Sequence, residues 1–295
     1  CLYVWTLILV ERGLRRSESW PWLAAGVLIA LGILAKYTMV LIFPAVGLAL
    51  LLEPRFRPIL RKPAPYIGAL LGLLGFVPIV IWNAQHNWVS FRHVAGQAGV
   101  SNAPALNFLG PVEMLAGQLA VVGPIWFIAL LVAVVTLWRR PAPTPPESHA
   151  PESVRFLLAA TITPWLVFGG FSFITKVQPN WPVLALLPGM PLLVAWLRRQ
   201  WWGADSARRL ARIVIITGVV TGGTAVVLMH HTEWFAPALR WVARREPPWN
   251  LTPVAKYDPT ARLRGWSQLG AAVGDVLQAE QQRDRGDRRG QHQVP

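Results

Sequence analysis

Lys36 stands alone between two uncharged apolar runs, 23–35 and 37–52. At ~1.5 Å rise per residue these runs make helices of roughly 20 and 24 Å, against a hydrocarbon core of about 30 Å. The hairpin therefore turns at or just inside the far membrane boundary. A cation at that depth is costly and by default faces a cavity or a partner; the alternative is a lysine whose ammonium snorkels to the nearby interface. Two polar loops have matching chemistry. Residues 83–93 read Asn-Ala-Gln-His-Asn-Trp-Val-Ser-Phe-Arg-His, and 174–181 read Ile-Thr-Lys-Val-Gln-Pro-Asn-Trp. With Lys36 they offer Lys, Arg and His for an anion, amides for hydroxyls, and indoles for a sugar face or a lipid. Arg forks and Lys point charges are the usual partners of phosphate. A site for a lipid phosphate beside a polyol needs this inventory; taken singly, each loop also reads as a solvated turn with interfacial tryptophans.

Carboxylates are scarce where that chemistry would need them. Glu11, Glu18, Glu53, Glu147, Glu152 and Asp205 fall in Arg-rich loops, and seven more acids follow from Glu233 onward. Glu113 alone remains near the polar loops. Its position two residues after Pro111 also suits a helix N-terminal acid complementing the macrodipole. A general base normally needs a carboxylate, and a divalent-metal site needs one or two. His230-His231 is an adjacent pair whose side chains do not project together on a helix or strand, and no paired CxxC or GxSxG is present, so no metal site is assigned.

These residues must be positioned by membrane helices. Hydrophobic residues make up 54% of the chain, charged residues 14%, and the mean hydropathy is +0.40; a soluble domain carries about a quarter charged residues. Many of the sixteen tryptophans stand at segment ends, as in an interfacial belt. Apolar stretches at 1–10, 22–35, 37–52, 65–82, 115–138, 154–173, 182–197 and 212–229 predict an all-α integral membrane bundle of about seven complete spans plus a partial first one. Alternate loops hold fifteen cations against three, Lys36, Arg92 and Lys176. The positive-inside rule puts the Arg-rich loops in the cytoplasm and Lys36, 83–114, 174–181 and the C-terminal segment outside. The net charge of +14 then belongs to lipid headgroups rather than to nucleic acid. Three regions follow: a membrane bundle over 1–230, an extracytoplasmic segment over 231–280 with a helix expected at 263–278, and a polar, disordered tail over 281–295. The Pro-rich linker 141–146 is expected to be extended. Cys1 excludes an internal disulfide, and its place at the first position, ahead of half a spanning helix, predicts a chain lacking its natural start.

Leu34-Ala-Lys-Tyr-Thr-Met-Val-Leu41, Pro78-Ile-Val-Ile-Trp-Asn-Ala-Gln-His-Asn-Trp-Val-Ser-Phe91, Lys176-Val-Gln-Pro-Asn-Trp-Pro182 and Asp258-Pro-Thr-Ala-Arg-Leu-Arg-Gly-Trp266 resemble bacterial polyprenyl-phosphate-dependent glycosyltransferases of the GT-C type. These are the membrane enzymes related to protein O-mannosyltransferases and lipid A aminoarabinose transferases. The resemblance implies a many-helix GT-C bundle in the inner membrane, with an extracytoplasmic site that passes a sugar from a polyprenyl-phosphate donor to lipid A, a glycan or a protein. It implies inversion by direct displacement, with a carboxylate base in the first extracytoplasmic loop, upstream of Cys1. Under it Lys36, Arg92 and His86 are candidates for the donor phosphate, and Asn83, Trp88, Lys176, Gln178, Asn180 and Trp181 for the sugar or acceptor. Glu113 is the weaker candidate for the base, and a divalent metal is left open for the complete enzyme. The competing class is a lipid-linked sugar transporter or flippase, or a non-catalytic membrane subunit. A transporter calls for an intramembrane acid paired with Lys36 and for repeated halves, neither of which is seen.

Overall fold

The computed structural model describes residues 1–97, 106–139, 151–235, 270–278 and 280, and all of the regular structure among them is helical. The linker 141–146, the motif at 258–266 and the tail 281–295 lie outside the described residues; of the helix expected at 263–278, residues 270–278 are described and helical. In chain order the helices are α1 (Leu2–Arg16), α2 (Trp20–Ala35), α3 (Ile42–Leu52), α4 (Ala64–Leu73), α5 (Phe76–Gln85), α6 (Val89–Gln97), α7 (Gly110–Val122), α8 (Pro124–Arg139), α9 (Pro151–Ser172), α10 (Leu186–Trp201) and α11 (Asp205–His230). Short 3₁₀ turns at Tyr37–Leu41, Pro54–Arg61, Pro182–Ala185 and Thr232–Phe235 join or extend them. The chain divides into two compact units, 1–219 and 220–295.

Among the described residues four helical stretches are long and apolar enough to cross a membrane: Ala64–Gln85, which joins α4 to α5, Glu152–Ser172, Pro182–Trp201 and Asp205–His230. The number rises to six if two bent pairs each count as one span, and the apolar α2 is shorter. One of those pairs replaces the single run expected at 115–138. α7 and α8 meet at 113°, because Gly123 adopts φ 85, a conformation open to glycine, and Pro124 next to it has no N–H to continue the ladder. The other break turns the Pro54–Arg61 segment by 119° from the helix before it. That segment buries Phe56 and Ile59 and leaves Arg55, Arg57 and Arg61 outside.

Helices α2 and α4 pack backbone against backbone. A Cβ on Gly26 would strike the Gly68 carbonyl, and one on Gly68 would strike the carbonyl of Trp22. Gly68 and Gly72 stand four apart on one face of α4, the small-xxx-small spacing that lets helix backbones touch in lipid, where packing rather than the hydrophobic effect drives association. One core joins Val10 and Leu14 of α1, Ile29 and Ile33 of α2, Ile42 and Ala45 of α3, and Phe156 and Ala160 of α9. A second joins Leu130 and Leu137 of α8, Leu158 of α9, and Leu192 and Trp196 of α10.

The Arg-rich connections gather at one end. Arg12 pairs with Glu18 at 2.9 Å, Arg15 with Glu11 at 3.0 Å and Arg55 with Glu152 at 2.8 Å. Lys62 Nζ donates to the Ser17 carbonyl at 2.6 Å, and Ser153 donates to Glu11. The hydrogen bond from Arg12 holds the Glu18 carboxyl below the usual carboxylate range.

Candidate functional site at the Lys36 end

α2 ends at Lys36 because the backbone there turns extended (φ −158°, ψ 123°). Its N–H still donates to the Gly32 carbonyl at 2.8 Å, and its carbonyl accepts from Met39 N at 3.0 Å, closing the 3₁₀ turn 37–41. The side chain is exposed, and no hydrogen bond or ion pair engages it among the described residues. Tyr37, the next residue, stacks on Phe91 with centroids 5.9 Å apart and also contacts Phe76 at 6.4 Å. Lys36 and Arg92 are therefore each one residue away from the same stacked pair. The exposed Arg92 side chain is likewise without a partner among the described residues.

Asn83 organises the 83–93 loop. Only 1% exposed, it donates from Nδ2 to the Ile79 carbonyl at 2.9 Å and accepts at Oδ1 from Ser90 N at 3.1 Å. Its carbonyl takes Trp88 N at 2.7 Å and His86 N at 3.1 Å. Those bonds hold Asn87 and Trp88 at φ 53 and 58, a left-handed conformation unusual for a bulky residue. Asn83 thus has both ends of its amide taken by the chain and shapes the loop from inside. His86 is exposed, donates from Nδ1–H to the Trp82 carbonyl at 2.7 Å, and stacks on the Trp82 ring at 4.1 Å. Trp88, 44% exposed, packs against Phe91 at 5.8 Å.

The third segment is tied in through a small apolar cluster. Leu41 of the 3₁₀ turn, Met114 of α7, Phe168 of α9 and Val177 of the 174–181 loop are buried together, with Trp181 against them. Gln118 of α7, fully buried, donates from Nε2 to the Pro179 carbonyl at 2.7 Å. Gln118 Oε1 and Thr175 Oγ1 are buried here without a partner among the described residues. The alternation of buried Val177 with exposed Lys176, Gln178 and Asn180 sends those three side chains outward, and Lys176 has no bonded partner among the described residues. Glu113, one residue from Met114, is exposed in the first turn of α7.

All ten site residues read from the sequence thus fall on three segments and one helix start at a single end of the first unit. Tyr37–Phe91 joins the first segment to the second, and the Leu41–Met114–Val177 cluster joins the first to the third and to Glu113. Gln118 and Tyr37 were not singled out by sequence; the only hint for Gln118 is a lone amide in an apolar helix. Among the described residues no group of three His, Cys, Asp or Glu could hold a metal, so these residues do not fit the divalent ion left open above, and no step is derived through one.

In sequence the chain is similar to glycosyltransferases. Residues 1–82, which carry α1–α4, most of α5 and Lys36, match the dolichyl-phosphate-mannose-protein mannosyltransferase family. Among curated proteins, the lipid A galacturonosyltransferase RgtD of Rhizobium johnstonii is 28% identical over 180 residues, 61% of this chain and 36% of that protein. The lipopolysaccharide core galacturonosyltransferase RgtB of the same organism is 26% identical over 226 residues, 74% of this chain and 44% of that protein. The chain therefore spans less than half the length of these relatives. No solved structure matches.

Proposed function

We propose that the chain forms the extracytoplasmic donor end of an inner-membrane glycosyltransferase. It would move a uronic acid from a polyprenyl phosphate to an envelope glycolipid of the lipid A or core type. The observation that carries this reading is the set of three exposed cations, Lys36, Arg92 and Lys176, without partners among the described residues and brought to one end with amides and aromatic faces. A polyprenyl-phosphate uronic acid carries two anions, a phosphate and a sugar carboxylate, which such a set matches. The relatives' names supply the uronic acid; the cations supply a chemical reason for it.

In the displacement, the acceptor hydroxyl oxygen forms the new bond to the anomeric carbon as the bond to the phosphate oxygen breaks. The electron pair leaves with the polyprenyl phosphate, and the hydroxyl proton passes to a carboxylate. Negative charge grows on the departing phosphate, so Lys36 and Arg92 held beside it lower the barrier; one such donor is worth about 10²–10³ in rate. Lys176, Gln178 and Asn180 frame the sugar, while Asn83 positions the loop that carries Trp88 and Arg92. Glu113 is the carboxylate at this end among the described residues of the first unit. The test is transfer in membranes, with a polyprenyl-phosphate uronic acid and a lipid A acceptor. Product formed by the wild type and lost with Lys36→Met supports the reading. Transport of the donor across vesicles without transfer, or transfer unaffected by Lys36→Met, overturns it; a loss with Glu113→Gln would assign the base.

A further inference from the structure

A cleft of about 390 Å³ opens where α3, α8 and α9 meet, with apolar walls from Leu48, Val134, Ile162 and Leu166 and with Trp138 and Arg139 at one end. Arg155 reaches the same end. Its guanidinium lies 6.0 Å from the Trp138 ring centroid, and Nη1 donates to the Trp138 carbonyl at 3.3 Å. Arg139 is exposed and carries no hydrogen bond or ion pair among the described residues.

We propose that this cleft holds one acyl chain of an anionic diacyl phospholipid, with its phosphate between Arg139 and Arg155 beside Trp138. Three observations select that occupant. The cationic end lies with the Arg-rich connections, on the side where anionic lipids concentrate and where basic pockets between spanning helices take their headgroups. Arg155 keeps guanidinium N–H groups beyond the one given to Trp138, and Arg139 keeps all of its own, so the pair offers a phosphate several charge-assisted donors. Trp138 stands at the helix end where an amphipathic ring sits at headgroup level. The headgroup end of the cleft, at Arg139 and Arg155, lies with the Arg-rich connections rather than with Lys36, so this lipid is distinct from the donor proposed above.

The test is native mass spectrometry of the full chain released from detergent with added phosphatidylglycerol or phosphatidylcholine of identical acyl chains, paired with thermal unfolding in each lipid. Phosphatidylglycerol should be retained at least tenfold more than phosphatidylcholine and should raise the unfolding temperature. Arg139→Gln with Arg155→Gln should erase that preference, whereas Arg61→Gln, at the same end but outside the cleft, should keep it. Val135→Trp, at the cleft wall, should lower retention of both lipids. If the double variant does not fold, Arg139→Gln alone, at an exposed side chain without a partner among the described residues, reads the preference. Equal retention of the two lipids, or a preference that survives loss of the cleft arginines, overturns the proposal.

Discussion

Lys36, Arg92 and Lys176 differ from Arg12, Arg15 and Arg55 in what surrounds them. The arginines lean on Glu18, Glu11 and Glu152, so most of their charge is answered within the chain, while the three cations at the other end have no such partner among the described residues. Lys36→Met should therefore lower transfer by about 10²–10³, the worth of one donor to a developing oxyanion, with membrane insertion unchanged. Arg209→Met at the Arg-rich end should leave the rate alone, and a turnover assay on the two variants decides. Asn83 calls for a different outcome. Its loss leaves Ser90 N without its partner, at a cost of about 1–3 kcal/mol for a buried unsatisfied group. Asn83→Ala should thus lower the unfolding temperature as well as activity, which Lys36→Met should not. At the opposite end, Glu18 is held below its ordinary carboxylate range by Arg12. A depressed folded-state value gives a contribution present above about pH 4.3, the unfolded value, and lost as pH falls through the folded one. Acid should loosen the α1–α2 turn in the wild type, and Glu18→Gln should remove that pH dependence in hydrogen exchange.

At the scale of elements, two glycines determine how helices meet. Gly68 lets α4 lie against the Trp22 carbonyl of α2, and a Cβ there finds backbone rather than a side chain that can swing away. Gly68→Ala should destabilise by about 1–3 kcal/mol, the usual range for overpacking. Gly47→Ala in α3, where the Cβ meets nothing within 4 Å, should be neutral or slightly stabilising; unfolding of the two in one detergent compares them directly. Gly123 holds the elbow between α7 and α8 at φ 85. That elbow sets α7 across the end of the bundle, which places Met114 and Gln118 under the 174–181 loop. The apolar run 115–138 hid it: hydropathy sums side chains and does not register one backbone angle, although Gly-Pro in mid-run was the available signal.

At the scale of the whole molecule, the alternation of cation-rich and cation-poor connections makes topology testable. In a Cys1→Ser background, single cysteines at 86–93 and 176–180 should label from outside, and those at 199–208 only after permeabilisation. Labelling of 199–208 from outside would invert the bundle and remove the reading of Lys36 as an extracytoplasmic group.

Membrane character, the helical class and the segregation of charge were all legible along the chain. Each depends on the type of residue at a position and on its distance to the next charge, which lipid reads almost one residue at a time. The polar loops at 83–93 and 174–181 were legible for the same reason, since polar side chains beside apolar runs stand out locally. What only the tertiary structure decided is how those pieces meet. Tyr37 on Phe91, Leu41 with Met114 and Val177, and Gln118 on Pro179 join residues far apart in sequence. Such contacts depend on helix length, break angle and close backbone approach together, so no local pattern announces them. Asn83 shows the difference within one side chain. Its amide reads in the sequence as a ligand for a sugar hydroxyl, and only the fold ties its two ends to the Ile79 carbonyl and to Ser90 N.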